Sequence, residues 1–210
     1  MDMLSELLNR YPQLTVCADG IKAAIAVIID CYQNGGKLLL CGNGGSCADC
    51  DHIAGELMKG FLKKRPLSIR QKNDMTNRFP LLDDALLDKL QCGLPAIALP
   101  SISALNSAFS NDVAPELIYA QSLFALGNKN DVLLAISTSG NAKNVFAAAK
   151  MAKGLGIPVI ALTGKSGGML KDCSDICIAV PETETYKVQE LHLPVYHCLC
   201  AAVENAFFKD

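Results

Sequence analysis

The sequence predicts an α/β protein built on a doubly wound, five-stranded parallel sheet with helices on both faces. One observation is that five short runs are almost continuous in Leu, Ile, Val and Ala, as expected for strands buried on both faces. Another is that helix-like segments separate these runs, and such alternation is typical of right-handed βαβ units. The runs are 37–42, 95–100, 131–137, 158–164 and 176–181.

The segment 141–156 shows how a connecting helix is predicted. Its apolar side chains fall on one face, and the segment ends at a glycine, which is a common helix terminator. The residues of that face are Val145, Ala148, Ala149 and Ala152.

Two long helical segments bracket the alternating unit, at residues 3–33 and 185–208. The second is apolar on more than one face, which indicates a helix that is either deeply buried or part of a subunit interface. Because such a helix is difficult to cover in a small monomer, we expect a homo-oligomer.

We expect one domain over 1–210, with an N-terminal helical part at 1–36 and an insertion at 62–93. The insertion breaks the alternation. It opens with basic and polar residues and then predicts a short amphipathic helix at 81–91. A connection this long is often a lid or a binding loop, and the alternative is a solvated surface excursion.

Composition narrows the possible functions. The net charge of −2 argues against a general nucleic-acid binder, which would normally be basic. No run reaches the roughly 18 apolar residues that a membrane span needs, and the acidic N-terminus does not resemble a secretory signal. Most of the ten cysteines lie in apolar runs, so we expect reduced thiols and a cytoplasmic protein.

The first predicted strand ends in a glycine turn at 41–46, Cys-Gly-Asn-Gly-Gly-Ser. A P-loop would end in Gly-Lys-Ser/Thr, and a dinucleotide site would place a third glycine where this chain has Cys47. Both nucleotide sites are therefore excluded. A smaller anion fits, because glycines expose backbone N–H groups and the following helix points its positive end at the turn.

A second turn of similar character follows the third strand, with Ser137, Thr138 and Ser139 beside Gly140. Three hydroxyls at a helix N-terminus favour a site for a dianionic phosphate. The alternative is that one hydroxyl is only a helix cap, which leaves the other two unexplained. Both turns lie at the carboxyl ends of strands, where open α/β sheets bind their ligands.

Five ordered motifs give the chain a resemblance to a known family. They are CGNGGSCADCDHIAGEL at 41–57, FSND at 109–112, LLAISTSGNAKNV at 133–145, VIALTGKSGG at 159–168 and TYKVQELHLPVYH at 185–197. Together they resemble the sugar isomerase (SIS) domain family, and within it the phosphoheptose isomerases. The resemblance covers about 37–208 and implies a flavodoxin-like SIS fold, a tetramer and a sugar phosphate substrate.

The resemblance also implies an activity, the aldose–ketose isomerisation of sedoheptulose 7-phosphate to D-glycero-D-manno-heptose 7-phosphate through an enediol. Relatives carry a serine where this chain has Ala142, so one phosphate contact is missing. The residues that the resemblance assigns to substrate binding are Asn43, Gly44, Gly45 and Ser46 for the sugar phosphate, Asn111 and Asp112 for sugar hydroxyls, Ser137, Thr138 and Ser139 for the phosphate, and Gln189.

The catalytic set implied by the resemblance is Glu56 and His197. His52, Glu56, Gln189 and His197 would together ligate a zinc ion. The residues fit the chemistry, since isomerisation needs a base near the carbon-bound proton and an acid or metal that polarises the oxygens. His52 and Glu56, at i and i+4, share one face of a helix, where the alternative is an exposed contact without function.

Gln189 and His197 are harder to reconcile with one metal. Eight residues on a straight helix separate them by about 12 Å along the axis. The shared site requires an irregular first turn, for which Pro194 is a candidate, or completion by a neighbouring subunit. His192 has the better helical spacing from Gln189, but the motif alignment indicates His197, and we interpret His192 as a core or interface residue.

Three alternatives remain open at this stage. Some SIS proteins resemble a replication-initiator-binding scaffold, others are sugar-phosphate sensors in regulators, and others isomerise a different sugar phosphate. This chain keeps His52, Glu56, Gln189 and His197, for which a pure interaction protein has no need. Their presence favours an enzyme.

Overall fold

A computed structural model describes residues 2–209 and contains the predicted sheet. Its strands are all parallel and follow the order β2-β1-β3-β4-β5, so the chain reverses direction across the sheet between β1 and β3. The prediction of a doubly wound, five-stranded parallel sheet is confirmed, although in the edge strand β5 Ile178 is buried and the other three residues are half-buried. Their bounds are Leu38–Cys41 (β1), Ala96–Ala98 (β2), Val132–Ser137 (β3), Val159–Thr163 (β4) and Ile176–Ala179 (β5).

Successive strand residues point to opposite faces of the sheet, so the apolar strands present apolar side chains on both faces. Helices cover each face. Leu38 and Leu40 belong to one core, which also contains buried residues of α2, α3 and α10, whereas Leu39 belongs to the other, with α7 and α8. The helices are Met3–Arg10 (α1), Ala18–Gln33 (α2), Gly45–Met58 (α3), Ile69–Arg78 (α4), Asp84–Leu87 (α5), Ser103–Asp112 (α6), Ile118–Leu126 (α7), Lys143–Gly154 (α8), Gly168–Cys173 (α9) and Thr185–Phe207 (α10).

The N-terminal helical segment predicted over 3–33 is interrupted in the structure. Two helices, α1 and α2, are separated by a 3-10 helix at Pro12–Cys17. Pro12 causes the break, because proline lacks the N–H that the preceding helix would need in order to continue. Tyr11 leaves helical geometry immediately before it.

The insertion at 62–93 also differs from its prediction. The helix predicted over 81–91 is only the short α5, and a longer helix, α4, precedes it. A capping box between Ser68 and Gln71 begins α4. None of the α4 residues is buried, and Ile69 is 79% exposed, as expected for a surface excursion.

The two ends of this excursion meet in a closed neck. The Cys92 N–H donates to the Arg65 carbonyl at 2.7 Å, and the Gly60 N–H donates to the Gln91 side chain at 2.7 Å. Pro66 and Gln91 also form an isolated antiparallel bridge. The chain therefore leaves and rejoins the domain body at one place.

Helix α10 is covered within the chain to a greater extent than its sequence indicates. Its buried residues pack against α1, α2 and α3. The apolar faces of α10, which favoured an oligomer in the sequence, therefore already have partners within one chain. Tyr186 and Leu193 are its large apolar residues that stay exposed. In residues 2–209, no helix has both the length and the apolar character for crossing a membrane.

Candidate functional site

The site is built where the strand order reverses, between the carboxyl ends of β1 and β3. Open α/β sheets leave a crevice at such a point, because the connections on the two sides diverge to opposite faces. Neighbouring strands in register bring the two turns together, with Cys41 paired to Ala135 near the ends of β1 and β3. The glycine turn leads into α3 and the hydroxyl turn leads towards α8.

The glycine turn needs its glycines for two different reasons. Gly44 has φ of 55°, a left-handed conformation that side chains disfavour. Gly45 begins α3, and a Cβ there would lie 2.1 Å from Nε2 of Gln189, so a side chain at this position would displace that amide. Ser46 is buried behind the turn, whereas Asn43, Gly44 and Gly45 are exposed.

A pair of amides connects the first turn to the α8 side of the crevice. Asn43 and Asn144 donate to each other's side-chain oxygens at 2.8 and 2.9 Å. Tyr119 supports the pair, since its hydroxyl lies 2.8 Å from the Gly42 carbonyl and 3.1 Å from Asn43 Oδ1. Sequence reasoning missed Asn144 and Tyr119. Asn144 lies within a recognised motif, whereas Tyr119 carried no local signal.

The hydroxyl turn exposes part of its predicted set. Ser137 is 6% exposed, Thr138 is half-buried and Ser139 is exposed. No hydroxyl caps α8, because Ala142 occupies the N-cap position, so the alternative of a simple cap does not apply. Ser139 Oγ accepts the Asn141 N–H at 3.2 Å, which shapes the turn itself. Gly140 has φ of 68° and lies against the backbone of Gly167.

Asn111 and Asp112 lie at the C-terminal end of α6. Both are exposed, and the Asn111 amide donates to the Asp112 carboxylate at 2.8 Å. Within the described part of the chain, neither side chain hydrogen-bonds to the two turns. The structure therefore does not bring this pair together with the other predicted residues.

The predicted acid–base residues gather between α3 and α10. His52 Nε2 lies 3.3 Å from Glu56 Oε1, and the ring centroids of His52 and His197 are 5.1 Å apart. Phe61 packs beside His197 with 5.5 Å between ring centroids. Burial and the nearby His52 lower the pKa of His197, although Glu56 opposes this shift. The His197 imidazole is therefore largely neutral near pH 7.

Gln189 lies at the other end of this cluster, towards the glycine turn. Its Nε2 donates to Asp49 Oδ2 at 3.5 Å, and α10 runs as one helix from Thr185 to Phe207 through Pro194. The irregular first turn that would bring Gln189 beside His197 is therefore absent from α10. His192 is fully buried, which agrees with its interpretation as a core residue.

Four further residues of this region were missed by sequence reasoning. Asp49 and Tyr196 lie between Gln189 and His52, with the Tyr196 hydroxyl 3.0 Å from His52 Nδ1. Arg65 and Glu204 form a buried pair at the end of α3, 2.7 Å apart. Both pairs join residues more than a hundred positions apart, so no local pattern indicated them.

The chemical types of the predicted ligands suit a zinc ion, but the positions of their side chains do not form a complete site. Imidazole and carboxylate are ordinary zinc ligands. Among residues 2–209, no hydrogen-bond partner reaches the buried His197 Nε2 or the buried Glu56 Oε2, and Lys59 Nζ lies 3.6 Å from Glu56 Oε2. However, residues 2–209 contain no group of three His, Cys, Asp or Glu side chains that could hold a metal ion.

Solved structures and curated relatives resemble this chain over most of its length. A phosphoheptose isomerase from Francisella tularensis has a TM-score of 0.75 at 31% identity and covers 96% of this chain and 93% of its own. One from Neisseria gonorrhoeae has a TM-score of 0.73 at 30% identity, with 95% and 94% covered. The curated phosphoheptose isomerase of Rhodospirillum rubrum is 37% identical over 196 residues, 93% of this chain and 90% of the relative.

A second curated relative and a family match agree with these structures. The phosphoheptose isomerase of Aneurinibacillus thermoaerophilus is 38% identical over 182 residues, which is 87% of this chain and 79% of the relative. The family model described as SIS domain matches residues 4–77 and 86–164, and the gap between the two parts lies in the excursion. Because this match covers most of the chain and includes both turns and α3, the protein belongs to the SIS domain family.

Proposed function

We propose that this protein is a phosphoheptose isomerase that interconverts sedoheptulose 7-phosphate and D-glycero-D-manno-heptose 7-phosphate. The observation that carries the proposal is the meeting of Glu56, His52 and His197 between α3 and α10. This meeting occurs in a chain 36–39% identical to proteins of that name. The proposed contacts to the substrate are made by the exposed residues of the glycine turn and of the hydroxyl turn.

The hydroxyl turn is the proposed phosphate site. Thr138 and Ser139 offer hydroxyls at the mouth, and Ser137 lies behind them. Neither turn contains lysine or arginine, so hydroxyl and backbone N–H groups at the helix N-termini supply the stabilisation. The exposed amides and glycines at 43–45 would then contact the sugar, with Asn111 and Asp112 as further contacts to its hydroxyls.

Glu56 is the proposed base. Its side chain is 14% exposed, and it lies one helical turn beyond His52. A carboxylate in a water-poor position is suited to removing the proton from the carbon next to the carbonyl. The proton would return to the neighbouring carbon of the enediol, which converts ketose to aldose.

His197 is the proposed acid, acting as a neutral hydrogen-bond donor. Its lowered pKa disfavours the imidazolium. A neutral imidazole can still polarise a carbonyl and move a proton between the two oxygens of an enediol. This assignment requires one ring N–H to point at the substrate while Glu56 acts at carbon.

A zinc ion at His52, Glu56, Gln189 and His197 remains part of the proposal. When bound, it would polarise the substrate oxygens and stabilise the negative charge of the enediolate. Gln189 is the weakest member, because its amide is engaged with Asp49 at 3.5 Å.

Assembly and location are proposed on separate grounds. A homo-oligomer, with a tetramer as the expected form, would cover exposed apolar side chains such as Val16, Phe124 and Leu193. A cytoplasmic location is supported by ten cysteines that are all free thiols, as a reducing compartment requires.

The test is to incubate the full chain with sedoheptulose 7-phosphate in deuterated water and to follow the aldose product by NMR. Turnover with deuterium at the carbon next to the new carbonyl is expected, because the base exchanges its proton with solvent. Glu56→Gln should lose both turnover and exchange. Glu190→Gln, a change of the same kind at an exposed position of α10, should keep them.

The two alternative functions, a sugar-phosphate sensor and an isomerase of another sugar phosphate, predict different results. A sugar-phosphate sensor would bind the substrate, measured by calorimetry, without turnover at any zinc concentration. An isomerase of another sugar phosphate would turn over a shorter ketose phosphate faster than the heptulose. Either result would overturn the assignment to heptose.

A further inference from the structure

A reciprocal pair of side-chain amides links the two turns of the candidate site. Asn43 belongs to the glycine turn, and Asn144 lies in the first turn of α8, shortly after the hydroxyl turn. Asn43 Nδ2 donates to Asn144 Oδ1 at 2.8 Å, and Asn144 Nδ2 donates to Asn43 Oδ1 at 2.9 Å. Within the described chain, these two are the side-chain hydrogen bonds between residues 42–46 and residues 137–154.

A backbone N–H determines which atom of each amide is the oxygen. The Val145 N–H donates to the Asn144 side chain at 3.0 Å, so the atom that faces it has to be an acceptor. The Asn144 nitrogen then faces Asn43, whose facing atom must be the oxygen. The Tyr119 hydroxyl is a donor shared between this oxygen, at 3.1 Å, and the Gly42 carbonyl, at 2.8 Å.

The donors and acceptors of the pair decide what it can offer to a ligand. An amide oxygen accepts two hydrogen bonds and an amide nitrogen donates two. Asn144 Oδ1 accepts from Asn43 and from the Val145 N–H, and Asn43 Oδ1 accepts from Asn144 and shares the Tyr119 proton, so both oxygens are occupied. Each nitrogen keeps a second N–H that has no acceptor among residues 2–209. The pair therefore offers donors, which suit an accepting oxygen of a ligand.

We propose that Asn144 is a positioning residue for sugar-phosphate binding, which holds the Asn43 carboxamide so that a free N–H and not the oxygen faces the ligand. Without Asn144, the carboxamide can rotate and present its oxygen, which repels the oxygens of a sugar phosphate. The inference deepens the proposed function and rests on it for the identity of the ligand. Binding can nevertheless be measured without turnover.

The exposure of the three side chains agrees with this division of roles. Asn43 is exposed, as a ligand contact has to be, whereas Asn144 is half-buried and Tyr119 is only 4% exposed. Burial raises the pKa of Tyr119, so its hydroxyl keeps the proton that it donates. The exposed amide is therefore held by two neighbours that are less accessible to solvent.

The test is a double-mutant cycle on ligand binding, in which calorimetry measures the Kd of the full chain for sedoheptulose 7-phosphate. Asn43→Ala should raise Kd about tenfold, the size expected for one lost hydrogen bond to an anionic ligand. Asn144→Ala should raise it by a similar factor, because Asn43 is no longer held. In the double variant Asn144 has no amide to position, so Kd should equal that of Asn43→Ala within about twofold.

A residue that only supports the fold gives a different result in this cycle. Its loss weakens binding by the same factor with or without Asn43, so the double variant would bind about a hundredfold more weakly than wild type. That result would overturn the proposal, and so would a wild-type Kd for Asn144→Ala.

The matched control is Asn130→Ala. Asn130 also donates its amide to a distant segment, the Asn34 carbonyl at 2.9 Å, but it precedes β3 and lies at the opposite end of the sheet. Its loss should leave Kd unchanged. A tenfold rise in this control would show that the effect is not specific to the amide pair and would overturn the proposal.

Turnover provides the second readout. Asn144→Ala should raise KM with little change in kcat, because Asn43 precedes α3 whereas the proposed base, Glu56, lies in the last turn of that helix. A fall in kcat at unchanged KM would contradict a role in binding. If wild type binds the sugar phosphate and the cycle is non-additive as expected, but no turnover occurs, the positioning role stands and the proposed isomerase function fails. If wild type does not bind the sugar phosphate, both fail.

Discussion

The turn half of the candidate site, residues 42–46 and 137–142, is held by backbone hydrogen bonds and by exposed side chains such as Asn43, whereas the helix half, α3, α10 and residues 59–65, is held by buried side chains. In the turn half, Gly140 N donates to the Ser137 carbonyl, and the Gly140 carbonyl accepts from Leu170 N. In the helix half, Glu204 accepts three backbone N–H groups and Arg65.

Arg65 shows how much depends on single side chains in the helix half. Its guanidinium donates to the carbonyls of Leu57 and Glu56 at the end of α3, at 2.7 and 3.3 Å, while its Nε donates to Glu204 of α10 at 2.8 Å. It thereby ties the helix that carries Glu56 to the helix that carries His197. We therefore expect a change of backbone conformation to matter most in the turn half and the loss of a buried side chain to matter most in the helix half.

The largest expected effect comes from breaking the helix half at Arg65. Both side chains of the Arg65–Glu204 pair are fully buried, so Arg65→Met leaves an unpaired carboxylate in the interior. We expect a loss of about 3–5 kcal/mol in the free energy of unfolding, measured by urea denaturation at fixed protein concentration. Isomerase activity should fall as well, because α3 and α10 lose their connection.

Arg70→Met is the control for this change. Arg70 is 92% exposed and meets Asp74 at 3.9 Å, so its loss should not alter the urea midpoint measurably. Equal midpoints for the two variants would contradict the importance assigned to the buried pair.

The next effect comes from changing the backbone of the turn half. Gly140 has φ of 68°, and a Cβ there would lie 2.0 Å from the Gly167 carbonyl oxygen. Gly140→Ala should cost about 1–3 kcal/mol and raise the KM for sugar phosphate, because the turn must move. Gly154 lies at the end of α8, and a Cβ added there would meet no neighbouring atom within 4 Å, so the stability of Gly154→Ala should equal or exceed that of wild type. Identical behaviour of the two variants would rule out strain at Gly140.

A smaller effect is expected from removing one hydroxyl of the turn half. Thr138→Val keeps the shape and loses one hydrogen bond to the proposed phosphate, so KM should rise roughly tenfold while kcat changes little. Thr76→Val, which removes a hydroxyl in α4 that donates to the Lys72 carbonyl, should leave KM unchanged. Steady-state kinetics measure both. A fall in kcat alone would place Thr138 in the chemistry instead of in binding.

The smallest effect is a pH dependence of stability that belongs to Glu204. Burial by itself would raise the pKa of Glu204, but the N–H groups of Phe61 and Leu62 together with Arg65 lower it below the usual value. Its contribution is therefore complete above the pKa of the unfolded chain and is lost as pH falls through the lower folded pKa. Urea midpoints from pH 7 to pH 3 should fall more steeply for wild type than for Glu204→Gln, and parallel curves would refute the assignment.

The comparison also shows which features a single sequence can predict. The five strands were predicted closely because strands buried on both faces are apolar throughout, which is a local signal. Helix α4 was missed because its sequence has no apolar stripe, although the capping box of Ser68 and Gln71 marks its start. The break after α1 likewise has a local signal, because Pro12 begins the 3-10 helix that follows.

In the site, the same distinction separates what was predicted from what was missed. His52 and Glu56 are four residues apart on one helix, so their contact follows from helix geometry. Tyr196 meets Asp49 across 147 positions, and Arg65 meets Glu204 across 139, and nothing in either neighbourhood specifies the partner. The turn half could be predicted as backbone and motif, whereas the helix half required the packed fold.

The neck of the 62–93 excursion has a consequence for how this protein can vary. The hydrogen bond from the Cys92 N–H to the Arg65 carbonyl, at 2.7 Å, holds the two ends of the excursion together. Exposed segments with anchored ends are positions at which chains accept lengthening, trimming or exchange. Within the excursion, the exposed helix α4 is therefore the part at which we expect foreign sequence to be accepted without disturbing the sheet, whereas Leu87 of α5 is buried and has to be kept.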